Sequence, residues 1–131
     1  GVVFDFVSKL KKNPDKLEIL GNGEQNKSYV YVKDVVSAMM IVMERADKGF
    51  EAYNIGSETQ IKVKRIADIV AEEMSLNPEY LFTGGDRGWV GDIPVMLLDI
   101  RKIKSIGWRP SLDSEGAVRK AVKYYLESEQ V

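Results

Sequence analysis

Four amphipathic helical stripes alternate with strand-like runs of only three or four residues, and this alternation constrains the chain more than any other feature. Ladders that short are marginal alone in water, so the helices must cover them. Val2, Val3, Phe6, Val7 and Leu10 share one face of a first helix, with lysines opposite, and Asn13-Pro14 ends it. Leu17 to Leu20 reads as a short strand closed by Gly21-Asn22-Gly23, a turn that calls for positive φ. Tyr29 to Val32, aromatic and β-branched, reads as a second strand. Asp34 is then the expected N-cap of a helix with the stripe Val35, Met39, Val42, Met43 and Ala46, and Gly49 stands where a C-terminal glycine is expected.

Tyr53-Asn54-Ile55 reads as a third strand. Val63, Ile66, Ala67, Val70 and Met74 mark a third helix, with Pro78 just beyond it. Tyr80 to Thr83 and Val95 to Leu98 look like strands flanking a glycine-rich loop. Asp113 can cap a last helix whose stripe is Ala117, Val118, Ala121, Val122, Tyr125 and Leu126. The expected class is α/β in an α+β-like arrangement: a small short-stranded sheet with about four main helices, forming one domain over residues 1–131.

Composition excludes several chemistries. The chain has no cysteine and no histidine, so thiol catalysis, disulfides and a Ser-His-Asp triad are out, and no metal site is expected. With 19 basic and 20 acidic residues interspersed, the net charge is −1. The densest basic cluster, Lys9, Lys11, Lys12 and Lys16, lacks interleaved aromatics, so nucleic acid is not an expected partner. The longest apolar run, Ala38 to Met43, stops at Glu44, far short of a membrane span. Gly1-Val2-Val3-Phe4 lacks the features of a signal peptide, which points to a cytoplasmic protein without a membrane partner.

Two motifs imitate catalytic ones. Tyr29 and Lys33 have Tyr-x-x-x-Lys spacing, but in a strand four residues advance about 13 Å, too far for the ammonium to act on the phenol. Gly85, Gly88 and Gly91 have the spacing of a dinucleotide loop, yet Asp92-Ile93-Pro94 follows where a helix start would be needed. Arg87 and the loop amides remain candidates for receiving a phosphate.

Taken together, several segments resemble the C-terminal part of the extended short-chain dehydrogenase/reductases, the family of NAD-dependent sugar-nucleotide epimerases and dehydratases. Gly1 to Val7 looks like its "GVI-x-x-FI" helix, and Leu17 to Asp34 like "L-x-I-x-G-(D/N)-G-x-Q-x-R-x-(F/Y)-V-x-V-x-D". Tyr53-Asn54-Ile55-Gly56 matches "YN-x-G", Gly91-Asp92 resembles "R-x-G-D", and Ile106 to Pro110 resembles "LGW-x-P". The order and spread of these motifs make the combination specific.

The resemblance implies a division of labour. In the family an N-terminal Rossmann half holds NAD and carries the Ser/Thr and Tyr-x-x-x-Lys group, while the C-terminal half closes over the nucleotide-sugar. This chain would then be the substrate-binding portion, with no catalytic residue, no cofactor of its own and no hydride transfer alone. Its implied partners are a UDP- or dTDP-sugar and the missing Rossmann half. Removed from that half, it should expose apolar surface and self-associate.

By the same resemblance, the backbone of Glu18, Ile19 and Leu20 runs beside the nucleobase, and Lys27 stands where an arginine clamps the diphosphate. Arg87 is the candidate second clamp, although Trp89 occupies the usual arginine position two residues before Gly91. Trp89 is expected mainly to anchor the loop to the core, Asp92 to order the loop or accept from a ribose hydroxyl, and Asp34 to cap its helix. Two other readings stay open at this level. One is a stand-alone, non-catalytic module for nucleotide-sugars or proteins; the other is a small carboxylate enzyme using Asp86 and Asp92.

Overall fold

A computed structural model describes residues 1–46 and 49–128 of the chain. In order, the elements are α1 (Val2–Lys12), β1 (Lys16–Ile19), β2 (Asn26–Lys27), α2 (Val32–Arg45), β3 (Ile61–Lys62), α3 (Val63–Glu73), β4 (Glu79–Phe82), β5 (Val95–Met96), α4 (Arg101–Ser105) and α5 (Ser114–Ser128). The class is mixed α/β with two small sheets: β1 pairs β4 in parallel, and β2 lies between antiparallel β3 and parallel β5.

The larger core forms where α1, α3 and α5 pack together and against β1. Val3, Phe6, Val7 and Leu10 of α1 meet Ile66, Ala67, Ile69 and Val70 of α3 and Val118 and Val122 of α5. β1 alternates exposed and buried, so Leu17 and Ile19 point into that core with no exposure. Each buried aliphatic side chain contributes about 1.5–3 kcal/mol of transfer free energy. Helix ends follow local chemistry. Asn13 leaves α1 in an extended conformation ahead of Pro14. At α5, Asp113 Oδ1 accepts from the Gly116 N–H at 2.7 Å, the expected N-cap.

A second cluster is organised by Trp108, which is 1% exposed and packs with Ala38, Ile100 and Ile103. Its indole N–H donates to the Asp34 carbonyl (3.1 Å) and to Ser37 Oγ (3.0 Å), pinning α2. The buried polar edge of a tryptophan normally finds such partners.

Five local expectations are corrected. Tyr29 to Val32 is not a strand: the ladder is at Asn26–Lys27, and α2 already begins at Val32. Ser114, at the start of α5, takes the bonds a neighbouring strand would have made, its Oγ accepting from the Tyr29 N–H (2.9 Å) and donating to the Thr59 carbonyl (2.7 Å). Tyr31 is therefore the N-cap of α2, and Asp34, inside the helix, accepts from the Ser111 N–H at 3.0 Å.

Tyr53-Asn54-Ile55 joins no ladder; Asn54 donates to the Asp99 carbonyl (3.1 Å), and Lys102 lies 4.6 Å from the centre of the Tyr53 ring. The α2 stripe is also displaced. Asp34 and Ala38 are buried, whereas Met39 and Met43 are 54% and 80% exposed. Finally, α2 ends at Ala46 rather than on a glycine, and the short helix α4 has no periodic signature in the sequence.

Candidate functional site

The loop 83–92 is tied down at both legs, and the elements that hold it shape a cavity beneath. Its outgoing leg continues β4 alongside β1: the Thr83 N–H donates to the Ile19 carbonyl (3.1 Å), and Thr83 Oγ1 accepts from the Gly21 N–H (2.8 Å). Its return leg runs beside β2, where the Asn26 N–H donates to the Pro94 carbonyl (2.7 Å) and the Ser28 N–H to that of Met96 (3.1 Å). Gly21, at φ +84°, lies so close beneath the loop that a Cβ would sit 3.0 Å from the Arg87 carbonyl oxygen. The result is a cavity of about 280 Å³ walled by Val2 and Phe6 of α1, Leu20, Gln25, Lys27, Tyr29 and the loop residues Gly88, Trp89 and Asp92.

The two legs bring together charges distant in sequence. Lys27 Nζ donates to Asp92 Oδ1, while Asp92 Oδ2 accepts from the Gly88 N–H at 2.9 Å. Asp92 is 6% exposed. Burial acts most strongly on its carboxyl and raises the pKa, but the bonds from Lys27 and Gly88, the Lys27 charge and the Gln25 side chain outweigh it. Asp92 is therefore held ionised, below the usual carboxylate range. Desolvation, and secondarily the Asp92 charge, raises the nearby Tyr29 phenol. Removing Lys27 would leave the buried Asp92 carboxylate without its counter-charge, which is destabilising.

Of the six residues singled out by resemblance, Leu20, Lys27 and Asp92 converge on this cavity. Ile19 points into the main core, and Glu18 lies on the outer face of β1, where its carbonyl accepts from Lys9 Nζ at 3.2 Å. Arg87 is exposed and stands outside the cavity wall; its backbone, rather than its guanidinium, faces Gly21. The carbonyls at the end of β1 are already engaged within the protein, since that of Leu20 accepts from Gln25 Nε2 at 3.0 Å. Each retains a second lone pair for a ligand.

Trp89 does not anchor the loop to the core: it is 66% exposed, with its six-membered ring folded over Gly91, where a Cβ would lie 2.3 Å from the ring. Gln25 and Tyr29 were not singled out as ligand residues. A signal existed for Gln25: it stands two residues before Lys27, and in an extended segment i and i+2 face the same way.

The two imitations resolve differently. Tyr29 lines the cavity beside Asp92, whereas Lys33 lines a separate groove of about 560 Å³ between the start of α2 and α5. The glycine loop runs on into β5, so no helix N-terminus stands behind it as in a dinucleotide fingerprint. Among the described residues, no group of three or more Asp or Glu is placed to hold a metal, and no helix is long and apolar enough to cross a membrane. Of the two residues of the carboxylate-enzyme reading, Asp92 is committed to Lys27 and Gly88, and Asp86 is exposed on the loop.

Residues 1–56 match the NAD dependent epimerase/dehydratase family. The chain is 30% identical over 124 residues to a putative UDP-glucose 4-epimerase of Methanocaldococcus jannaschii, covering 95% of this chain and 38% of that protein. It is 31% identical over 133 residues to mouse (Mus musculus) dTDP-D-glucose 4,6-dehydratase, covering 97% and 36% respectively. Its fold is similar to a crystal structure of UDP-galactose 4-epimerase, with TM-score 0.84 and 38% identity over 98% of this chain and 41% of that one. It is also similar to UDP-glucose 4-epimerase from Thermotoga maritima, solved with UDP-glucose, with TM-score 0.81 and 29% identity over 98% of this chain and 40% of that one. The chain thus spans about two-fifths of the length of these relatives.

Proposed function

Starting from the chain's membership of the NAD-dependent epimerase/dehydratase family, we propose that residues 1–131 form the substrate-binding part of a nucleotide-sugar epimerase or dehydratase. The observation that carries this reading is the cavity under loop 83–92, where one cation, Lys27, stands among buried polar groups next to an apolar wall. A nucleotide-sugar has a matching composition: a flat base, a polyhydroxylated sugar and an anionic diphosphate. Leu20 and the neighbouring Glu18-Ile19 backbone are assigned to the base end, Lys27 to the diphosphate, and Asp92 to holding Lys27 and the loop in place. Arg87, exposed at the rim, is assigned to the outer phosphate. The crystal structure of the Thermotoga maritima relative with UDP-glucose supports a UDP-sugar as the ligand.

On this reading NAD is held, and hydride moved, by residues outside this segment. NAD supplies the hydride acceptor and donor; this chain's own part is to bind and orient the sugar nucleotide. The exposed apolar residues of α2, Val36, Met39, Met40 and Met43, support a docking role for that helix against a Rossmann half. Without that half, the same face is expected to drive self-association.

Calorimetry on the 131-residue chain tests the reading. Weak binding of UDP or UDP-glucose and none of NAD is expected, and Lys27→Met should weaken UDP about tenfold or more, as for loss of a charge-assisted hydrogen bond. Tight NAD binding with no response to UDP would overturn it.

A further inference from the structure

The groove of about 560 Å³ between the start of α2 and α5 shares no lining residue with the cavity under loop 83–92. On α5, Ala117, Lys120, Ala121 and Tyr124 recur at the i, i+3, i+4, i+7 spacing of one helix face. The two alanines are too short to fill that face and leave a shallow floor between longer neighbours. The opposite wall is Val30, Tyr31 and Val32, the entry to α2. Val32 and Tyr124 are 66% and 68% exposed, so both walls offer apolar surface to solvent.

Charge selects what such a groove takes. Lys33, Lys120 and Lys123 line it against a single acid, Glu127, in a chain whose net charge is −1. Lys33 and Lys120 make no hydrogen bond or ion pair among the described residues, and Lys123 reaches Glu73 only at 3.9 Å. Other lysines, such as Lys9, Lys62 and Lys102, sit against carboxylates. Two uncompensated cations thus flank open aromatic and aliphatic surface, a pattern complementary to carboxylates set around an apolar side chain. Single-stranded nucleic acid would need a longer basic track than this groove supplies. Val36, Met39, Met40 and Met43, the α2 residues assigned to the Rossmann half, do not line it, so the groove is a second surface.

We propose that the groove between the start of α2 and α5 is a docking site for an acidic segment of a partner protein. An aromatic or aliphatic side chain of that segment rests on Ala117 and Ala121 beside Tyr31 and Tyr124, and its carboxylates meet Lys33 and Lys120. The proposal is independent of the nucleotide-sugar reading.

The test is fluorescence anisotropy of the 131-residue chain with labelled Glu-Glu-Phe-Leu-Glu-Glu and its basic counterpart Lys-Lys-Phe-Leu-Lys-Lys. The acidic peptide should bind with a Kd on the order of 100 µM, and the basic one about tenfold more weakly or worse. Combining Lys33→Glu with Lys120→Glu should weaken the acidic peptide about tenfold and strengthen the basic one. Tyr124→Ser, which keeps the charges and removes apolar wall, should weaken the acidic peptide about fivefold. All three side chains are exposed, and circular dichroism checks that the variants fold. If the double variant does not fold, the peptide pair and Tyr124→Ser decide. No binding of the acidic peptide at about 1 mM overturns the proposal, and so does equal binding of the two peptides or a folded double variant that binds as wild type does. Displacement of the peptide by UDP assigns it to the cavity under loop 83–92 and overturns the proposal as well. Sedimentation in which the double variant loses self-association, with no peptide bound to wild type, gives the groove to a second copy of the chain instead.

Discussion

Helices α2 and α3 carry comparable apolar content and are buried very differently. α3 buries Val63, Ile66, Ala67, Ile69, Val70 and Ala71 between α1 and α5. In α2 only Asp34 and Ala38 are buried, while Val32, Val36, Met39, Met40 and Met43 are each more than half exposed. The difference teaches that apolar content and burial are separate properties. α3 has one apolar face and one charged face, and the chain covers the first. α2 is apolar nearly all round, as a helix covered on two sides would be, and the described residues cover one side.

The largest effect that sharpens this contrast is expected at Trp108. Trp108→Ala should cost about 3–5 kcal/mol and release α2, because the residue is nearly the whole centre of its cluster. Hydrogen exchange in α2 should accelerate while α3 stays protected; equal loss in both helices would show a single cooperative unit and break the comparison. Next is Ile66→Ala, at about 2–5 kcal/mol by chemical denaturation, with protection lost throughout the molecule. Smaller still is Met43→Ser. Its side chain is 80% exposed, so stability should change by no more than about 0.5 kcal/mol, yet sedimentation should show weaker self-association. Unchanged association would move the sticky face away from α2.

The smallest effect concerns the charged face that α3 shares with α5. Arg65 bonds Glu115 and Glu72, each at 2.6 Å, and Arg119 bonds Glu73 at 2.7 Å and Glu72 at 2.9 Å. Hydrogen bonding from Arg65 comes first among the influences holding the Glu72 and Glu115 carboxyls below their ordinary range. Carboxyls depressed in the folded state add stability that is fully present above their ordinary pKa of about 4.3 and is lost as pH falls through the depressed values. Thermal melts should therefore show a modest fall below about pH 4.5, reduced in high salt because the pairs are exposed.

This contrast also marks what could be read from the amino-acid sequence. α1, α3 and α5 were legible because their stripes are clean, and so were β1, β4 and the Asp113 cap. The α2 stripe was not, since almost every turn offers an apolar residue to every side. Tyr29 to Val32 misled for another reason: its composition favours a strand, but Ser114, 85 residues away from Tyr29, satisfies the backbone instead. The candidate site was legible residue by residue for Leu20, Lys27 and Asp92, through resemblance. Their geometry was not, because the Lys27–Asp92 pair spans 65 positions and depends on which strands lie beside β2. Gln25 was passed over although it stands two residues before Lys27, because its bond to the Leu20 carbonyl is made by packing that the sequence does not display.

Loop 83–92 has one leg on the β1–β4 sheet and the other on the sheet containing β2. Anything lodged under it therefore behaves like a rivet through two plates. It resists their shear, so its benefit should register at the ends of both sheets at once, beyond the few side chains it touches. A guest of modest affinity can then noticeably stiffen this half of the molecule, with the glycine-bounded strap as the part that transmits the load.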